Sequence, residues 1–164
     1  FGAGRFFPRE RNLRNELRRP RRKIHGPARH HHSADVKEAL AVMAGGAVGS
    51  LGRWLFAEWV AAMPWSAGFP FGILIVNVAG SFGIGLCSEL LLENGLWNIS
   101  PGARAFLFAG IFGGFTTFSA FSLQTLALLR SGQVLLAGVN IVTSVVLCIV
   151  AVWLGALTAQ WFAN

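Results

Sequence analysis

The 164 residues are 54% hydrophobic and 13% charged, with a mean hydropathy of +0.55, values outside the range of soluble domains. The formal charge of +7 resembles a nucleic-acid signal until it is divided along the chain: residues 1 to 35 hold ten of the fourteen Lys/Arg and three of the seven acids, and residues 36 to 164 hold four of each sign. The apolar part is therefore neutral, which excludes nucleic acid as its partner and points to the lipid bilayer.

Residues 1 to 35 contain Arg18-Arg19-Pro20-Arg21-Arg22-Lys23 and His30-His31-His32. They present no sustained apolar face and cannot bury enough surface to offset the entropy of ordering. They read as a basic disordered N-terminal extension, without the apolar core of a signal peptide and opening on Phe1 rather than Met. A basic arm touching anionic lipid is the functional alternative. The histidine run is not expected to be a physiological metal site.

From Leu40 onward come four apolar stretches, each long enough for the roughly 20 residues that a helix needs to cross the hydrocarbon core. Residues 36 to 164 are thus expected to be an all-α membrane domain of four transmembrane helices. The first helix is expected over about residues 36 to 63 and the second over 70 to 92. The connection Pro64-Trp65-Ser66-Ala67-Gly68 is tight enough to make them antiparallel neighbours. After Glu93-Asn94-Gly95 and Ser100-Pro101-Gly102 the third runs over about 103 to 129. Arg130-Ser131-Gly132 then precedes the fourth, over 133 to 162.

All six tryptophans, Trp54, Trp59, Trp65, Trp97, Trp153 and Trp161, fall near the expected helix ends, where an amphipathic ring prefers the headgroup region. Cys87 and Cys148 have small or aliphatic neighbours and read as core residues. Arg53, Glu58 and Glu89 lie close enough to helix ends to snorkel, so none is a clear mid-membrane proton carrier. Small residues recur four apart at Gly45 and Gly49, Gly46 and Ser50, Ala79 and Gly83, Ser81 and Gly85, and Gly110 and Gly114. Such pairs let helix backbones approach closely in lipid.

Polar groups in an apolar span cost free energy unless they find a partner or a wet path, and three clusters qualify. Asn77 and Ser81 share a face of the second helix; either they hydrogen-bond between helices or the Asn77 amide donates to a passing anion. The run Gly110-Ile111-Phe112-Gly113-Gly114-Phe115-Thr116-Thr117-Phe118-Ser119 has poor helix propensity. It is expected to unwind around residues 113 to 116 and expose backbone oxygens suited to a hard cation; unbroken glycine packing is the rival. Asn140, Thr143 and Ser144 share a face of the fourth helix as a pathway lining, although Ser and Thr can also satisfy themselves on the preceding turn.

Together Gly45-Gly46-Ala47-Val48-Gly49-Ser50-Leu51-Gly52-Arg53-Trp54, Val76-Asn77-Val78-Ala79-Gly80-Ser81-Phe82 and Gly113-Gly114-Phe115-Thr116-Thr117-Phe118-Ser119-Ala120-Phe121 make the chain resemble the CrcB/Fluc family of fluoride channels over about residues 42 to 154. The resemblance implies a dual-topology, antiparallel homodimer in the bacterial inner membrane that exports cytoplasmic fluoride passively and protects against its toxicity. It implies a broken third helix with a central structural sodium ion (Na+), held by the backbone carbonyls of Gly113 and Thr116. It also implies an aromatic pair, Phe118 and Phe121, beside a pore-facing Asn77. Ring edges carry partial positive charge and can stabilise an anion without holding it too tightly for conduction. Fluoride also needs hydrogen-bond donors, for which Asn77, Thr117, Ser119 and Thr143 are the candidates.

Two departures from the family pattern stand out: Trp54 where Tyr is usual, and Ala120 where Thr or Ser is usual, which removes a hydroxyl from the polar track. The basic extension conflicts with dual topology, because Lys/Arg before the first helix should hold that end in the cytoplasm. A physiological start near residue 35, or an oppositely oriented partner, would remove the conflict. A small cation exchanger would need a carboxylate deep in the first helix, and Glu58 is too near its end. A structural subunit or an enzyme is the third reading. All four histidines lie in the extension and no nucleophile and base stand paired, so no enzyme is expected.

Overall fold

The computed structural model describes residues 31–91 and 97–163, and the described residues from His32 onward form one compact unit. The arginine run, the expected disorder of residues 1–30 and the Glu93-Asn94-Gly95 connection lie outside the described residues. The architecture is all helical. Helix α1 (His31–Ala61) begins earlier than the start expected at residue 36, and α2 follows at Phe71–Leu91. The third span opens with an α turn, Pro101–Arg104, widens into a π-helix over Ala105–Phe112 and closes on an α turn, Gly113–Phe115. These three pieces form one rod, α3. Helices α4 (Phe118–Arg130) and α5 (Val134–Ala163) complete the chain. Four spans are long and apolar enough to cross a membrane: Asp35–Ala61, Phe71–Leu91, Pro101–Arg130 and Val134–Phe162.

The turns follow local chemistry. Between α1 and α2 the buried Ser66 hydroxyl donates to the carbonyls of Met63 at 2.8 Å and Ala61 at 3.0 Å. Gly68 then takes a φ of +86°, a conformation an L side chain resists. Ser100 caps α3 by accepting from the Ala103 N–H at 3.3 Å, with Pro101 in the first helical position. Gly132, at φ +76°, ends α4 and its N–H bonds the Leu129 carbonyl at 3.1 Å.

Two glycine seams hold the helices together. Along the first, α1 runs parallel to α3 with backbone against backbone: a Cβ on Gly45 would strike the Phe106 carbonyl, and one on Gly49 the Ile111 carbonyl. The contact is reciprocal, because a Cβ on Gly110 would lie 2.8 Å from the Gly45 Cα and one on Gly114 would lie 2.7 Å from the Gly46 carbonyl oxygen. The π-helix of α3 was not expected from the sequence; its wider turn carries both carbonyls that α1 approaches. Along the second seam α2 and α5 run parallel, with Gly85 against the Val152 carbonyl and Gly155 against the Phe82 carbonyl. Near the first turn, Gly72 of α2 meets Ala57 of α1.

Outward faces are apolar. Leu135 is 81% exposed, and all six tryptophans are more than half exposed, from 57% at Trp65 to 74% at Trp161. Water would penalise so much open hydrocarbon, whereas lipid tails do not distinguish it from their own.

Candidate functional site

The chain leaves the helix at Thr116 and Thr117, whose backbones are extended (φ −84°, ψ 154° and φ −154°, ψ 123°). Gly113 remains helical at φ −63°, ψ −37°, so the interruption falls at the end of the expected stretch of residues 113 to 116 and runs one residue past it. Weak helix propensity of the glycines does not set its place; hydrogen bonds do. The Thr116 N–H and hydroxyl both donate to the Phe112 carbonyl, at 3.0 and 2.8 Å. The Thr117 N–H, which a continuing helix would aim at the Gly113 carbonyl, donates instead to Asn77 Oδ1 at 2.8 Å. Asn77 Nδ2 returns a bond to the Thr117 carbonyl at 3.0 Å. One carboxamide thus closes a two-point clamp on the extended residue.

Helix α4 restarts with Thr117 as its cap, the hydroxyl accepting from the Ala120 N–H at 3.3 Å. Two glycines of α2 make room for the broken segment: a Cβ on Gly80 would collide with the Thr116 methyl, and one on Gly83 would lie 2.7 Å from the Phe112 ring.

Beside the clamp lies a cavity of about 390 Å³ between α2, the break, α4 and α5. Asn77, Ser81, Thr116 and Thr117 line it from one side, and Ser144 and Cys148 from the other. A second cavity, of about 370 Å³, is lined by Thr125, Leu129 and Ile141. Phe118, Phe121 and Val145 border both, so the aromatic pair stands between one space and the next. Its ring centroids are 5.1 Å apart and tilted by 52°, but the two rings are unequal: Phe121 is 7% exposed and Phe118 76%. No charged side chain lines either cavity among the described residues.

The structure therefore brings together seven of the residues singled out in the sequence: Asn77, Ser81, Thr116, Thr117, Phe118, Phe121 and Ser144. Ser119 is exposed and outside the cavity lining, though its hydroxyl pairs with that of Thr117 at 3.1 Å. Thr143 is a correction. Its hydroxyl donates to the Val139 carbonyl at 2.7 Å, the self-satisfaction open to threonine in a helix, and it faces neither cavity. The next residue, Ser144, takes that place: it is buried and its hydroxyl has no hydrogen-bond partner. Cys148, read as a core residue, instead faces the cavity one turn further along α5. The i, i+4 spacing of Ser144 and Cys148 was the available signal for this stripe.

Asn77 takes the first of its two expected parts, bonding across to another segment, while still lining the cavity. A primary amide has two N–H donors and one acceptor oxygen, and Thr117 takes one donor and the acceptor. A third cavity, of about 380 Å³, opens near the α1–α2 turn, with Arg53, Glu58 and Gln124 in its wall.

A family model described as CrcB-like protein, Camphor Resistance (CrcB), matches residues 40–156. Among the similar proteins, one from Methylobacterium radiotolerans is 47% identical over 123 residues, covering 74% of this chain and 85% of the relative. One from Opitutus terrae is 49% identical over 120 residues (73% and 90%), and one from Gluconobacter oxydans is 50% identical over 124 residues (75% and 85%). All three carry the name fluoride-specific ion channel FluC. With four membrane-length helices, these matches make the chain a multi-pass membrane protein.

Proposed function

The chain belongs to the CrcB family, and from that membership we propose that it is a fluoride-specific ion channel, one that lets cytoplasmic fluoride leave passively and so protects the cell from it. The observation that carries the reading is the pair of neighbouring cavities with Phe118 and Phe121 in the wall of both and the unpartnered Ser144 hydroxyl in the first. A small anion entering this space exchanges its water for fixed donors: the Ser144 hydroxyl and the Asn77 N–H not spent on Thr117. At the aromatic pair, ring edges offer weak positive potential. With no full cation alongside, the anion is not held too long to leave. Catalysis has no part in this reading, because passage makes and breaks no covalent bond.

The remaining parts of the reading concern assembly. A second, antiparallel copy would cover the open ring of Phe118, and the neutral balance of residues 36 to 164 favours insertion in both orientations. A sodium ion suits the break by its chemistry. The Gly113 carbonyl does not receive the Thr117 N–H, the Thr116 carbonyl belongs to extended backbone, and neutral oxygens are the donors a hard cation prefers. Two oxygens are few for one ion, so an equal pair from the second copy would complete the set, and the ion's contribution would be to tie the copies together. The bacterial inner membrane is the proposed location.

The test is passive efflux from liposomes that contain the purified chain and are loaded with either fluoride or chloride. Rapid efflux of fluoride alone is expected, and Phe118→Ile or Phe121→Ile should slow it while the dimer still elutes intact. Equal chloride efflux would defeat the selectivity, and unaltered fluoride efflux in both variants would defeat the assigned path.

A further inference from the structure

The two rings of the aromatic pair are mounted differently. Each lies one helical turn before a hydroxyl residue that donates back to its carbonyl: Ser122 to Phe118 and Thr125 to Phe121, both at 2.9 Å. Ser122 is exposed and its bond stays within α4. Thr125 is 7% exposed, and its hydroxyl oxygen also accepts from Asn140 Nδ2 of α5 at 2.9 Å. Asn140 itself is 2% exposed.

The direction of this chain is fixed by chemistry. An amide nitrogen only donates, so the Thr125 oxygen accepts from it and the single hydroxyl proton goes to the Phe121 carbonyl. Bonds linked head to tail polarise one another, and in a membrane span Asn140, away from both cavities, has no water to turn to. The sequence grouped Asn140 with Thr143 and Ser144 as pathway lining; it borders neither cavity.

We propose that Asn140 and Thr125 are positioning residues that anchor Phe121 to α5, making it the fixed wall of the constriction, while Phe118 is the ring free to adjust as the anion passes. The proposal rests on the conduction path proposed above. It explains why Asn140, a buried amide that borders neither cavity, stands between two apolar helices bonded to a hydroxyl in the wall of the second.

The experiment compares fluoride efflux from liposomes for the full chain and for Thr125→Val, Thr125→Ser, Asn140→Leu, Phe121→Ile and the Phe121→Ile/Thr125→Val double variant, with each checked for dimer elution. Thr125→Val keeps the shape but removes the link, and efflux should fall by about tenfold, within the loss that displacing a positioned group produces. Asn140→Leu should match it. Thr125→Ser restores the hydroxyl and should run at the parent rate. Once Phe121 is gone there is nothing left to position, so the double variant should run no slower than Phe121→Ile alone. Parent-rate efflux in Thr125→Val, a Thr125→Ser as slow as Thr125→Val, or a further loss of the same size in the double variant would each overturn the proposal. Full efflux in Phe121→Ile alone would overturn the anchor, since the ring it holds would have no part in passage, and full efflux in Phe118→Ile as well would overturn the assigned path.

Discussion

The seam between α1 and α3 and the space among α2, α4 and α5 occupy the same apolar setting and are filled in opposite ways. At the seam, Gly45 and Gly49 bring α1 onto the carbonyls of Phe106 and Ile111, leaving no room for even a methyl group. Around the break, aromatic rings and hydroxyls line two cavities, one among α2, α4 and α5 and one between α4 and α5. Helices in lipid gain nothing by hiding hydrocarbon from lipid tails, so dispersion at close range must hold them. A membrane protein that keeps a polar passage open therefore needs other contacts that are closed completely.

That contrast can be broken most severely at the seam. Gly49→Leu drives a branched side chain into the Ile111 carbonyl, main chain that cannot give way. It should destabilise the fold by about 3 kcal/mol or more, seen as loss of a monodisperse peak in detergent and of thermal stability; wild-type stability would mean the seam is not closed in the folded protein.

At the clamp, Asn77→Leu removes both bonds to Thr117 and should cost about 2 kcal/mol, within the range for leaving buried polar groups unpaired. Fluoride efflux should be lost with it, since Thr117 begins the turn that carries Phe118. Full efflux with lowered stability would make the clamp structural only.

Ser144→Ala sharpens the comparison by separating stability from passage. Its hydroxyl is buried with no partner, so removal should leave stability unchanged or raise it by about 0.5 kcal/mol, while fluoride efflux falls. A drop in melting temperature, or unchanged efflux, would count against its place in the path. The smallest effect is expected at Gly46→Ala. A Cβ there meets nothing within 4 Å, and replacing a helical glycine by alanine favours the helix by about 0.5 kcal/mol. The difference between Gly45 and Gly46, adjacent in the chain, would show in parallel thermal melts.

Much of the architecture was legible in the chain, because a bilayer imposes strong rules: span length, balanced charge and tryptophan placement leave few alternatives to four helices. Asn77 was legible too, since an amide amid so many aliphatic residues stands out, whereas Phe118 and Phe121 were picked from the chain's fourteen phenylalanines only through the family resemblance. The site's finer assignments were less so. Thr143 and Ser144 are neighbours of the same chemical type, and only the rotation of α5 decides that one spends its hydroxyl on Val139 while the other faces the cavity.

The sequence by itself determined which residues cross the membrane, where helices turn and which small residues permit close approach, since these depend on local conformation and on transfer from water to lipid. The tertiary structure alone decided where the third span breaks, what Asn77 binds, and that Asn140 reaches Phe121 through Thr125. Each of those joins groups far apart in the chain. Local propensity can say that a backbone is easily interrupted, but the place is set by whichever distant donor or acceptor arrives to satisfy it.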